Sequence, residues 1–134
     1  MQTNITREFP SPVRRWSGVF ITALVALFLA FDAVAKIAEV EPVLKASAGL
    51  GLPPATVVPI GGVLLACTIA YLVPPTAVLG AVLLTAYLGG AVAIQVRVGA
   101  GAFPVGFSIG IALLAWAGLV LREPRLTWLF WFRR

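Results

Sequence analysis

Residues 18–38, GVFITALVALFLAFDAVAKIA, form one long apolar run that carries only two charges, Asp32 and Lys36. As a helix rising 1.5 Å per residue, the run spans roughly 30 Å, the thickness of a bilayer's hydrocarbon core. It has no continuous polar stripe of the kind a surface helix of a soluble domain needs. The run is too long for a secretory leader and lacks a convincing small-x-small cleavage site, so it reads as a retained membrane span.

Three further runs of similar length follow, at about 55–73, 77–96 and 103–121. Pro74, Pro75 and Thr76 join the second to the third, and glycine-rich residues 97–101 join the third to the fourth. Links this short allow only antiparallel neighbours. Between spans one and two lies the one sizeable loop, 39–54, where Pro42 starts and Gly49 and Gly51 stop a short surface helix at about 42–48. The expected fold class is therefore an all-α membrane protein: a four-transmembrane-helix antiparallel bundle with a short surface helix between spans one and two. Residues 1–15 read as a polar tail, 16–126 as the transmembrane domain and 127–134 as an interfacial tail. Ser17 is the expected cap of the first helix, with Trp16 at the membrane interface. Trp128, Phe130, Trp131 and Phe132 before Arg133 and Arg134 suit a headgroup-level anchor.

Composition agrees. Hydrophobic residues make up 60% of the 134, charged residues only 11%, and the mean hydropathy is +1.02. A soluble domain carries roughly a quarter charged residues. The net charge of +5 does not mark a nucleic-acid binder, because the basic residues flank the spans rather than interleaving with polar and aromatic groups on a folded face. Arg7, Arg14 and Arg15 precede the first span; Arg122, Arg125, Arg133 and Arg134 follow the last. That side holds seven of the ten cations, so the positive-inside rule predicts both termini in the cytoplasm, with anionic headgroups against them, in a multi-pass cell-membrane protein.

There is no histidine, and Cys67 is the single cysteine. An intramolecular disulfide, a C-x-x-C redox pair, a Cys/His metal cage and histidine haem ligation are all excluded. Cys67 lies in an apolar stretch and reads as a small hydrophobe, since thiolate chemistry needs an exposed electropositive setting.

Small residues recur at helical spacing: Gly62, Ala66 and Ala70; Ala86 with Gly90; Gly89 with Ala93; Gly106 with Gly110. Such stripes let helix backbones approach closely in lipid. Packing within the bundle is the favoured reading, with homodimerisation through Gly106 and Gly110 as the alternative.

Charges inside spans are costly, which makes their positions informative. Asp32 and Lys36 are four residues apart on one face, acid before base, the favourable order. Glu39 follows on the same side. Spans one and three end on the same side of the membrane, so Gln95 and Arg97 fall at a similar depth, with Tyr87 two to three turns deeper. Asp32, Lys36, Glu39, Tyr87, Gln95 and Arg97 thus form a candidate polar cluster at one mouth of the bundle. Either the ion pairs pin helix ends, or the cluster lines a pocket for a headgroup, a quinone carbonyl or another small amphipathic ligand. No catalytic constellation is legible, because no Ser or Thr has a histidine base and the acids are too few for a carboxylate metal site.

Pro75 to Ala81, Tyr87 to Gly99, Phe31 to Lys36 and Trp116 to Leu126 together resemble the DoxX-like family of small four-span membrane proteins, over about residues 16–126. The resemblance implies a four-helix membrane bundle and leaves activity open. The family is named for a membrane subunit of a thiosulfate:quinone oxidoreductase, and other relatives look like accessory or assembly factors. Many relatives carry a histidine two residues before the arginine, where this chain has Gln95; a proton-transfer role does not carry over, while a hydrogen-bonding role does. Two functions are expected to compete. One is a non-catalytic accessory subunit or assembly factor that contacts a membrane or peripheral redox protein, or a second copy of itself, through its helices. The other is a protein that binds a quinone or similar ligand in service of a redox enzyme. No other cofactor is evident. Transport is disfavoured by the lack of an internal repeat or broken helices.

Overall fold

The computed structural model describes residues 11–126, so the expected C-terminal anchor and most of the N-terminal tail lie outside the described residues. Among the described residues there are five α-helices: α1 (Pro12–Ile37), α2 (Glu41–Gly49), α3 (Pro54–Leu72), α4 (Ala77–Arg97) and α5 (Ala102–Arg122). α1, α3, α4 and α5 are each long and apolar enough to cross a membrane. The protein is an all-α membrane bundle, with α2 as the short helix between the first two spans.

One expectation is corrected at the start of α1. The helix begins at Pro12, not near Gly18, and its cap is Ser11, whose hydroxyl accepts from the Arg14 amide at 3.3 Å. Proline at the first helical position loses no hydrogen bond and has its φ preset, so Ser11-Pro12 is the stronger start signal. Ser17 lies inside the helix and donates to the Val13 carbonyl instead.

Three helices end alike, at one end of the bundle. Residues 39, 51 and 99 take positive φ, of 53°, 76° and 65°, just past α1, α2 and α4. At each the next amide reaches back into the helix: Val40 to the Ala35 carbonyl, Leu52 to Ser47 and Ala100 to Gln95. This closure satisfies carbonyls that the helix leaves unpaired. Gly51 and Gly99 adopt the left-handed conformation without steric cost, whereas Glu39 does so at some strain.

α1 packs on α3 and α5, and α4 packs on the same two helices, so α1 and α4 face each other across the diagonal. Close approach rests on four glycines. A methyl group at Gly61 would lie 2.7 Å from Lys36 Cβ; at Gly118, 2.7 Å from Thr22 Oγ1; at Gly18, 2.8 Å from the Arg122 amide nitrogen; at Gly80, 2.2 Å from the Tyr71 amide nitrogen. The small-residue stripes expected to pack the bundle lie elsewhere. Gly62, Gly89, Gly90, Gly106 and Gly110 have open space where a Cβ would stand, and Ala66, Ala86 and Ala93 are exposed. Lipid chains are as apolar as the bundle interior, so spacing alone does not reveal which face turns inward.

The buried core is broadest in the half of the bundle nearest Arg122 and continues up α1 through Val25 and Leu29 to Ala33. Leu64, Cys67 and Tyr71 of α3, Ala77, Ala81 and Leu84 of α4, and Ala115 and Leu119 of α5 are buried together there, with Leu126 folded beneath them. Tyr71 donates to the Ala115 carbonyl at 2.6 Å, tying α3 to α5 across the core. Tyr71→Phe is expected to cost about 1 kcal/mol, the usual net worth of a neutral buried hydrogen bond, read from unfolding in mixed detergent.

Candidate functional site

Towards the other end the bundle opens on one side. α1, α4 and α5 diverge beneath α2 around a cavity of about 510 Å³, roofed by Pro42, Val43, Ala46 and Ser47 of α2. Its wall is mostly apolar, with Phe28 and Leu29 from α1, Ile60 from α3, Leu88, Ala91 and Ile94 from α4, and Phe107 and Ile111 from α5. The rings of Phe28 and Phe107 meet edge-on, with centroids 5.3 Å apart, where α1 lies against α5.

Polar groups enter this wall from three helices. Asp32 and Lys36 form an ion pair along α1, the lysine donating to the carboxylate. The backbone beneath Lys36 is fixed because its Cβ packs against Gly61 of α3. From α4 come Tyr87 and Gln95, and from α5 Ser108, whose hydroxyl donates to Gln95 Oε1 at 3.3 Å. With its oxygen engaged in this way, the Gln95 amide nitrogen keeps both protons to offer. The Tyr87 hydroxyl makes no hydrogen bond among the described residues.

Of the six residues of the candidate cluster, the cavity therefore brings together four: Asp32, Lys36, Tyr87 and Gln95. Glu39 and Arg97 are not among its lining residues, and the reasons are local. Glu39 is the left-handed residue that ends α1, so the chain turns off the helix axis and leaves it exposed. Arg97 reaches sideways to the Leu50 carbonyl at 3.5 Å, where it meets the last turn of α2. Lysine or arginine at a helix C-terminus interacts favourably with the unpaired carbonyls there. Ser108 and the roof residues were missed by sequence reasoning. Ser108 carried one usable signal, a hydroxyl inside an apolar span at the depth of Gln95.

The arrangement suits a molecule with an apolar body and a hydrogen-bond-accepting head. Lys36, Gln95 and Tyr87 are donors gathered on an otherwise greasy wall, the usual makeup of a small-molecule site. Among the described residues no three carboxylate or thiol groups come together as a metal-ligating cluster.

The model of the DoxX-like family matches residues 20–118, from within α1 to within α5. The chain belongs to the DoxX-like family. The matched region takes in every cavity-lining residue named above. No curated protein and no solved structure matches this DoxX-like chain.

Proposed function

We propose that this DoxX-like protein binds a small amphipathic molecule drawn from the bilayer, its tail along Phe28, Ile94 and Phe107 and its polar head against Lys36, Tyr87 and Gln95. The observation that carries this reading is the 510 Å³ cavity, of ligand-binding size, with its polar groups on an apolar wall. A quinone fits the chemistry, since its carbonyl oxygens accept from an ammonium, an amide and a phenol. In this reading the arginine-rich end of the bundle faces the cytoplasm of a cell membrane, as the charge distribution favours, and the cavity opens towards the opposite face.

The test is a calorimetric titration of the protein in lipid nanodiscs with a benzoquinone carrying a decyl tail. Saturable binding is expected for the wild type. Ala91→Phe adds a ring inside the cavity and should weaken binding by about tenfold or more while leaving the melting temperature equal or higher, because cavity filling is often neutral or stabilising. Uptake that never saturates, and that is the same in both proteins, is simple partition into lipid and sinks the proposal.

A second reading has its own support, the outward-facing small residues Gly62, Gly89, Gly106 and Gly110. They favour contact with a helix of another membrane protein or of a second copy, as in an accessory subunit. Crosslinking in mild detergent should then trap a larger species that Gly106→Leu weakens; recovery of monomer alone would remove that support.

A further inference from the structure

The two ends of the bundle differ in charge as well as in packing. At the α2 end Lys36, Lys45 and Arg97 are balanced by Asp32, Glu39 and Glu41, two of those cations being paired along their own helices. At the far end Arg14, Arg15, Arg122 and Arg125 face one acid among the described residues, Glu123.

Arg122 is held in an unusual way. It lies at the last turn of α5, partly buried, with its guanidinium 5.4 Å from the centre of the Tyr71 ring and one nitrogen 3.5 Å from the Tyr71 carbonyl. Its Nε is shielded from solvent and has no hydrogen-bond partner. A buried guanidinium donor left without an acceptor costs free energy, more than a neutral group would. Gly18 presses α1 directly onto the backbone of Leu121 and Arg122. Arg14 precedes Gly18 by four residues and so lies one turn further along the same face, and it too is partly buried. Arg125 follows on the turn formed by Pro124–Leu126, whose Leu126 tucks into the core and brings the turn back under the bundle. Arginines from both helices therefore border one seam, at the depth where a phospholipid headgroup lies.

We propose that the α1/α5 seam at this end is a binding site for one anionic phospholipid, its phosphate bridged by Arg122 and Arg14 with Arg125 at the rim. Guanidinium pairs phosphate through two parallel N–H bonds, and the Arg122 group keeps N–H donors beyond its one long contact to the Tyr71 carbonyl. The acyl chains would run along the exposed apolar flank of α1, beside Val19 and Phe20. The site is at the opposite end from the cavity and does not depend on what the cavity binds.

Native mass spectrometry of the full chain, released from vesicles of equal phosphatidylglycerol and phosphatidylcholine, tests this. The wild type should retain phosphatidylglycerol in clear excess. Arg14→Gln and Arg122→Gln should each cut that preference about fivefold, the effect of one arginine near an anionic surface. Lys45→Gln and Arg97→Gln at the other end should leave it unchanged. Arg122 also ties α5 to α3, so Arg14→Gln decides the matter if Arg122→Gln does not fold. Equal retention of the two lipids overturns the proposal. So does an equal loss from Lys45→Gln, which would mark diffuse surface charge, or wild-type stabilisation by millimolar inorganic phosphate matching that by the lipid, which would mark a free-anion site.

Discussion

Gly80→Ala is expected to destabilise the bundle by about 3 kcal/mol or more, for the addition of one methyl group. That methyl would lie 2.2 Å from the Tyr71 amide nitrogen, 2.4 Å from Tyr71 Cα and 2.6 Å from the Ala70 carbonyl carbon. All three are backbone atoms, so no side chain can swing aside, and α3 and α4 must separate. They cannot slide to relieve the clash. The four residues 73–76, with the Pro74–Thr76 turn, join them, and the Thr76 hydroxyl donates to the Ala70 carbonyl at 2.8 Å. Overpacking usually costs 1–3 kcal/mol, and a rigid backbone contact belongs at or above the top of that range. Separation would also pull Tyr71 from the Ala115 carbonyl and from Arg122. Gly106→Ala is the control. Its methyl meets nothing within 4 Å, and alanine is the better helix former by about 0.5–1 kcal/mol, so that variant should be neutral or slightly more stable. Unfolding of both in mixed detergent micelles checks the contrast; equal effects would mean that α3 and α4 do not meet backbone to backbone at Gly80.

The same pair of glycines marks where the sequence stops being readable. Both sit in apolar helices, and Gly106 even belongs to a G-x-x-x-G pattern that Gly80 lacks. In water, the polar side of a helix identifies its outer face. In a bilayer, the outer face is as apolar as the inner one, so the pattern of span, turn and span is plain while the rotation of each span is not. What did stand out were groups that lipid penalises. Asp32, Lys36 and Gln95 were conspicuous because each is costly in a span, and antiparallel topology placed them at one depth. Glu39 and Arg97 were drawn to the same cluster by that depth argument, but local backbone chemistry took precedence: a left-handed helix end for one, a carbonyl at the end of α2 for the other. A pocket at this mouth was one of two readings of the cluster, but its volume, its apolar walls and its roof were not legible. Its size and walls depend on how α1, α4 and α5 are rotated and spaced beneath α2, which are properties of packing.

Asp32 and Lys36 should give the second large effect, because they can serve as structure or as ligand contact and the two roles separate in a double-mutant cycle. Their side chains are 34% and 17% exposed, so the pair is neither solvated like Glu41 and Lys45 nor sealed. A solvated pair is worth about 0–1 kcal/mol, and breaking a sealed one costs about 3–5 kcal/mol. Asp32→Asn is therefore expected to destabilise by about 2 kcal/mol, mainly because it leaves the ammonium of Lys36 beside apolar walls without its counter-ion. Lys36→Met keeps the packing against Gly61 and leaves a carboxylate facing Tyr87 and Gln95, at a similar cost. The double variant removes both charges and should recover most of the stability, since a neutral amide left partly exposed costs far less than an unpaired charge. Quinone affinity should not recover with it. If Lys36 donates to the head of the ligand, the double variant folds like the wild type yet binds about tenfold more weakly, the loss expected for one charge-assisted hydrogen bond. A double variant that regains both stability and affinity would make the pair a helix pin and move recognition to Gln95, Tyr87 and Ser108.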